Sequence, residues 1–227
     1  MKLVKVTNEN HAIAKRWYDD ACGTALALEI VGERWALLIM RELVFGPRRF
    51  SELRANLPGI SANVLTQRLQ GLEATGVLTR RTLPSPANVQ VYALTDWGLE
   101  AQPMMRNLGR WAARSPRHDP FAFMSPASAM MSLQTLVDAD KARALDLTVG
   151  IRFPNDAFTA RAAGGAIEVV RGEPEHPAAT FTGDTMQLRV TFYGKAPFGA
   201  VEGMTVAGDP GAARAFTDLF RLPEKVT

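Results

Sequence analysis

One cysteine, Cys22, and three histidines, His11, His118 and His176, are scattered through 227 residues. A lone thiol cannot close an internal disulfide, and isolated histidines offer none of the short spacings that zinc ligation needs. No stretch approaches the roughly 20 apolar residues of a membrane span, and no charged start leads into an apolar run of signal-peptide length. The expectation is a cytoplasmic protein with no membrane partner. Lysine is absent between Cys22 and Ser115, where eleven arginines face seven acids, while residues 116–227 carry eleven basic and thirteen acidic residues. An all-arginine basic half suits planar, bidentate recognition of phosphates and base edges, although a GC-rich genome would favour arginine too. With 47% apolar and 22% charged residues the chain can bury a core, which argues against disorder.

Catalytic constellations are missing as well. No Ser-His-Asp or Cys-His set can be assembled, and Gly164-Gly165 lacks the strand–glycine–helix context of a phosphate loop. Asp138 and Asp140 fall in a turn beside Lys141 and Arg143, where a solvated charge cluster is the default. The expectation is a protein that is not an enzyme and carries no cofactor or metal.

The chain has a seam. Between Arg114 and Ala127 it reads RSPRHDPFAFMSPA, with Pro116, Pro120 and Pro126 in close succession, which neither a helix nor a central strand tolerates. This divides the chain into residues 1–115, a linker at 116–127, and residues 128–227.

Before the seam the periodicity is helical with one break. Trp35 to Val44 is apolar on more than one face, as expected of a central helix, and Gly46-Pro47 stops it. A short helix over Phe50 to Asn56 ends in Leu57-Pro58-Gly59. Ser61 is a good N-cap for the next helix, whose Leu65, Leu69 and Leu72 recur at i, i+4 and i+7 until Gly76. That leucine stripe turns Asn63, Thr66, Gln67 and Gln70 outward, uncharged side chains able to pair with base edges. Val77 to Arg81 and Val89 to Leu94 then alternate with period two around a Pro84–Asn88 tip, a hairpin. Two helices, a glycine turn, a polar-faced third helix and a basic hairpin make a winged helix-turn-helix. Ser61, Asn63, Thr66, Gln67 and Arg68 are the candidates along the reading helix, and Arg48, Arg49, Arg80 and Arg81 those for phosphate; Arg68 suits either task.

The blocks ERWALLIMREL, Arg48-Arg49-Phe50, Gly59-Ile60-Ser61, Leu72-Glu73 with Gly76, and Tyr92-x-Leu94-Thr95 resemble the HxlR-type family of bacterial transcriptional regulators over residues 16–114. The resemblance implies a homodimeric DNA-binding regulator with its third helix in the major groove. It does not extend to the first 15 residues, nor past Ser115.

Trp97, Ala101, Met104, Leu108 and Trp111 form a heptad-like stripe, either packed on its own domain or serving as a two-fold dimer seam. The family resemblance favours the seam, and with it an inverted-repeat operator. Cys22 stands where the family commonly has its cysteine, which some relatives use as a redox sensor. Asp19 and Asp20 should raise its thiol pKa, which favours an inert thiol; as a redox site Cys22 could act only by adduct formation or by bridging subunits.

After the seam, Ser125-Pro126 opens a helix. Leu145 to Phe153 alternates strictly, a half-buried strand. Residues 158–163 and 166–171 flank the Gly164-Gly165 turn, and Ala179 to Thr182 is a further strand. Asp184 caps a helix, Met204 to Ala207 is a strand, and Asp209-Pro210 opens a last helix. The order is α-β-β-β-β-α-β-α, so the whole chain is α+β: a winged helix-turn-helix followed by a smaller sheet-and-helix domain. The second half, especially AATFTGDTMQLRVTFYG and VAGDPGAARAFTDLF, resembles the sterol carrier protein type of lipid-binding fold. That resemblance implies an apolar tunnel, with Phe181, Leu188, Phe192, Tyr193, Phe198, Met204 and Phe216 either lining it or simply filling the core. The partners to expect are double-stranded DNA, a second copy of the chain and a small apolar effector. The alternative is a carrier of hydrophobic ligands whose helical half is an interaction module.

Overall fold

The structure, a computed structural model, describes residues 18–227; His11, Lys15 and Arg16 of the amino-terminal extension lie outside the described residues. The helical half runs α1 (Gly23–Val31), α2 (Ala36–Leu43), α3 (Phe50–Asn56), α4 (Ala62–Ala74), β1 (Leu78–Thr82) and β2 (Gln90–Leu94). Ile39, Met40 and Leu43 of α2 are buried at its centre. Helix α4 starts where expected: the Ser61 hydroxyl oxygen accepts from the Val64 N–H at 3.2 Å. Leu65, Leu69 and Leu72 are at most 2% exposed, and burying each contributes about 1.5–3 kcal/mol. The β1–β2 hairpin pairs Leu78 with Leu94 through Thr82 with Gln90, and the Arg48 backbone adds a bridge to Tyr92 at 2.9 and 2.8 Å. A Cβ at Gly98 would stand 2.1 Å from the Val77 carbonyl oxygen, so only glycine lets the next helix start against the wing.

The stripe from Trp97 to Trp111 lies on two helices rather than one, α5 (Asp96–Glu100) and α6 (Gln102–Ala113), meeting at Ala101. Pro103 in the first turn of α6 has no N–H to donate, so an unbroken helix would lose a rung there. The stripe nevertheless remains uncovered: Trp97, Met104, Leu108 and Trp111 are 51%, 43%, 46% and 73% exposed, with Ala101 half-buried at the joint.

Beyond the seam come α7 (Pro126–Leu136), α8 (Ala139–Arg143), β3 (Asp146–Phe153), β4 (Asp156–Ala163), β5 (Ala166–Arg171), β6 (Ala179–Thr182), α9 (Thr185–Phe192), β7 (Thr205–Gly208) and α10 (Pro210–Thr217). The sheet order is β5-β4-β3-β6-β7, antiparallel except where β6 lies parallel to β3. Gly164 and Gly165 turn the β4–β5 hairpin with φ of +60° and +87°, angles that favour glycine. Helix α8 is an element the sequence reading leaves as a turn; the Asp138 carboxylate caps it by accepting from the Asp140 and Lys141 N–H groups.

Helix α7 is the spine of the molecule, buried on most sides and packed against α2, α6, β5 and α9. Its cap residue works in both directions. Ser125 accepts from the Ser128 N–H and donates its own proton to Glu42 of α2 at 2.7 Å. Asp156 on β4 holds both Arg48 and Arg171, and Arg171 also donates to the Phe45 carbonyl and lies over the Phe158 ring. Phe45 meets Phe158 edge-on at 5.7 Å. The buried apolar residues of both halves therefore form one continuous core. The proline-rich seam is fastened along its length. Arg189 donates to the Pro120 and Ala122 carbonyls, and Lys225 donates to those of Ala113, Ser115 and His118.

Candidate nucleic-acid interface and an apolar cavity

Helix α4 presents Asn63, Thr66, Gln67 and Gln70 to solvent while its leucines face inward, and its packing partners are α1, α2 and β1. The sheet half leaves this face open. Within it the groups differ in what they have left to offer. Thr66 donates its proton to the Ala62 carbonyl at 2.9 Å and keeps only acceptor capacity; Ser61 spends a lone pair on its cap and keeps its proton. Asn63 and Gln67 are exposed amides with both donor and acceptor edges.

The arginines divide more sharply. Arg48, expected to bind phosphate, is 8% exposed and held by Asp156 with Glu52 at 3.6 Å, so it joins the two halves and has little surface left to offer a phosphate. Arg68 is turned back by Glu33 at 2.7 Å and the Arg34 carbonyl at 3.1 Å, which fastens α4 to the turn before α2. Arg80 lies 3.8 Å from Glu73 and keeps half its side chain in solvent. Arg49 and Arg81 are exposed and make no ion pair among the described residues. Arg54 of α3, which the sequence reading passes over, is exposed and equally unengaged. Its position in the last turn of the first helix-turn-helix element is the signal that would have found it, since that helix crosses the phosphate backbone.

Cys22 is fully exposed at the head of α1, and its thiol is held below its ordinary pKa by the backbone N–H of Thr24, then by the Thr24 side chain and the Ala25 N–H. The expected rise from Asp19 and Asp20 is not seen: the shift is downward, and the donors at the open helix end are its cause.

Residues 30–119 match the family described as HxlR-like helix-turn-helix. The HTH-type transcriptional regulator YvaP of Bacillus subtilis, itself uncharacterized, is 40% identical over 87 residues, 38% of this chain and 80% of YvaP. The chain belongs to the HxlR-like helix-turn-helix family. A second relative, the HTH-type transcriptional regulator YodB of Bacillus subtilis, is 35% identical over 86 residues, 38% of this chain and 77% of its own. The solved reduced form of YodB covers 43% of this chain and 98% of itself at 32% identity, with a TM-score of 0.39. The family match ends at residue 119, within the proline-rich seam. The sheet half lies outside it, and the sterol-carrier resemblance has no counterpart among these matches.

A half-enclosed cavity of about 580 Å³ lies where the halves meet, between α2 and α6 on one side and α7 and α9 on the other. Of the side chains expected to line a tunnel, Tyr193 alone faces this cavity. The others serve as packing. Phe181, Phe192 and Phe216 interlock at 4.9–6.0 Å with Phe220 beside them, Phe198 lies 6.2 Å from Phe181, and Leu188 and Met204 are buried around this knot. Aromatic rings packed directly against one another, edge-on, tilted or stacked, leave no tunnel among them, and the open volume falls on the opposite side of α9. Among the described residues no helix is long and apolar enough to cross a membrane, and no group of acidic, histidine or cysteine side chains could hold a metal.

Proposed function

We propose that the chain is a transcriptional regulator that binds duplex DNA as a homodimer, with α4 in the major groove. The observation that carries this is the uncovered amide face of α4 on a helix whose leucines hold it rigidly to its own core. Asn63 and Gln67 read base edges, Thr66 accepts from them, and Ser61, Arg49, Arg54, Arg80 and Arg81 hold phosphates. Arg68 positions the helix from behind.

The exposed stripe on α5 and α6 pairs with its two-fold copy, which sets two reading helices on an inverted repeat with half-sites about one DNA turn, or a multiple, apart. Residues 1–115 are the DNA-binding and pairing part, and residues 128–227 the part that receives a small effector. Cys22, exposed and acidified, is a second point of control through adduct formation or a bridge between subunits. A carrier protein with an interaction module makes no use of an amide face on a helix-turn-helix.

Footprinting on genomic fragments tests the proposal. Gln67→Ala should cost about 1–3 kcal/mol on the cognate site and relax its sequence preference. Arg81→Ala should weaken cognate and random DNA alike and reduce the salt slope by about one. Equal effects of the two variants on cognate and random DNA would reject the division of labour. Failure to bind any fragment at low salt, with retention of a lipid, would favour the carrier.

A further inference from the structure

The cavity between the halves has an uneven chemistry. Its walls are mostly apolar and soft, with four methionines, Met105, Met124, Met131 and Met186, which adapt to a guest's shape. Its charged and titratable lining consists of Arg41, His118 and Arg189, with Tyr193 beside them, and no carboxylate. Arg41 is neutralised by Glu42 at 2.9 Å. His118 is held below its ordinary pKa by burial and by the nearby Lys225, which favours the neutral imidazole and leaves it without the positive charge that Arg189 keeps.

Arg189 is the exception. It is 9% exposed, and among the described residues no carboxylate lies within 4.0 Å of it. Its Nε donates to the Thr185 carbonyl at 3.1 Å and its Nη1 to the carbonyls of Pro120 and Ala122. Its Nη2 has only the Met186 sulfur at 3.7 Å, a weak acceptor. Carbonyl dipoles orient this guanidinium, and the carboxylates of Asp184 and Asp119 act on its charge only from beyond ion-pair distance, so a buried cation is left without a direct anionic partner, which is costly to keep. Near it the hydroxyls of Ser132 and Tyr193 share one hydrogen bond at 2.7 Å, which leaves the pair a second proton to donate.

The wall opposite is equally telling. Gly109 sits inside α6, where glycine costs roughly 0.5–1 kcal/mol relative to alanine, yet an added Cβ there would meet nothing within 4 Å. Gly109 is an exposed part of the cavity lining, so a larger side chain has space there.

We infer that the cavity binds an amphipathic organic acid, its hydrocarbon or aromatic body among the methionines and its carboxylate on the free edge of Arg189, with the one spare hydroxyl proton of the Ser132–Tyr193 pair donating to the same end. The volume falls within the range of small-molecule sites. Charge complementarity decides the class: a neutral apolar guest would leave the guanidinium as it is, and a cation would face it.

Calorimetric titration of the full chain with decanoate, and with decan-1-ol as its uncharged counterpart, tests this. One decanoate should bind per subunit, with decanol about tenfold weaker or worse. Arg189→Met should bring decanoate down to the level of decanol. Arg189 also fastens the seam, so a second variant is needed that leaves it alone: Gly109→Trp, which fills the space from α6 and should abolish binding of both compounds while leaving the melting temperature unchanged. Equal affinity for acid and alcohol, undiminished decanoate binding by Gly109→Trp, or no decanoate binding at all would each overturn the inference. These readings contain no DNA, so they stand or fall separately from the regulator proposal.

Discussion

Replacing Asp156 by alanine removes one carboxylate that two arginines from different parts of the chain share. The side chains of Arg48 and Asp156 are 9% and 8% exposed, whereas that of Arg171 is 22% exposed. Removing one partner of a buried pair costs about 3–5 kcal/mol, because the remaining charge is left without compensation. Arg48 retains Glu52 at 3.6 Å, and Arg171 retains the Phe45 carbonyl and the Phe158 ring. The loss should therefore fall at the lower end, about 3 kcal/mol. For a chain of this size that corresponds to a drop in Tm of about 6–12 °C in calorimetry. Asp146→Ala, which removes an exposed partner of Arg161, is the control and should leave Tm almost unchanged. Arg48→Met with Asp156→Leu should recover most of the loss, since an apolar pair of similar volume avoids the desolvation cost. A single-variant drop no larger than that of the control would show that the knot contributes no more than a surface pair, and would refute the view that it locks the two halves.

Trp111→Glu puts a charge on the most exposed part of the α6 stripe and should turn a dimer into monomers by sedimentation velocity without lowering Tm; an unchanged sedimentation coefficient would remove the stripe from the interface. Leu69→Ala empties a site that is 1% exposed and should cost about 2–5 kcal/mol in urea unfolding, against a negligible effect for the neighbouring Gln70→Ala. Since the α1 N–H groups favour the Cys22 thiolate, alkylation by iodoacetamide should reach half its limiting rate at a lower pH than for free cysteine, and Thr24→Pro, which removes both the N–H and the hydroxyl that face the thiol, should move the midpoint back up; a midpoint at or above that of free cysteine would count against the helix-end argument.

The local rules carried far in this chain. Ser61, Asp184 and Asp209 cap helices because a short acceptor side chain ahead of an apolar run has one good use, and Gly164-Gly165 makes the expected turn because φ is positive at both. What stayed hidden was set by partners distant in sequence. Nothing local distinguishes Arg48 from Arg49, yet one meets Asp156, 108 positions away, and the other faces water. The phenylalanines of the sheet half have the composition of a binding pocket, and only three-dimensional packing shows them closed on each other and the open volume displaced to the other side of α9. The single helix expected through the pairing stripe failed at a local signal, Pro103, which the stronger apolar period masked.

Lys225 finishes α6 from across the chain, donating to the Ala113 carbonyl 112 residues upstream. During synthesis from the amino terminus, that helix therefore emerges long before the ammonium that seals its last turn. The reading helix can settle early on the ribosome, because its leucines find their neighbours close by. The pairing surface proposed on α6 is therefore completed only once residue 225 has been added, later than the core beneath the reading helix.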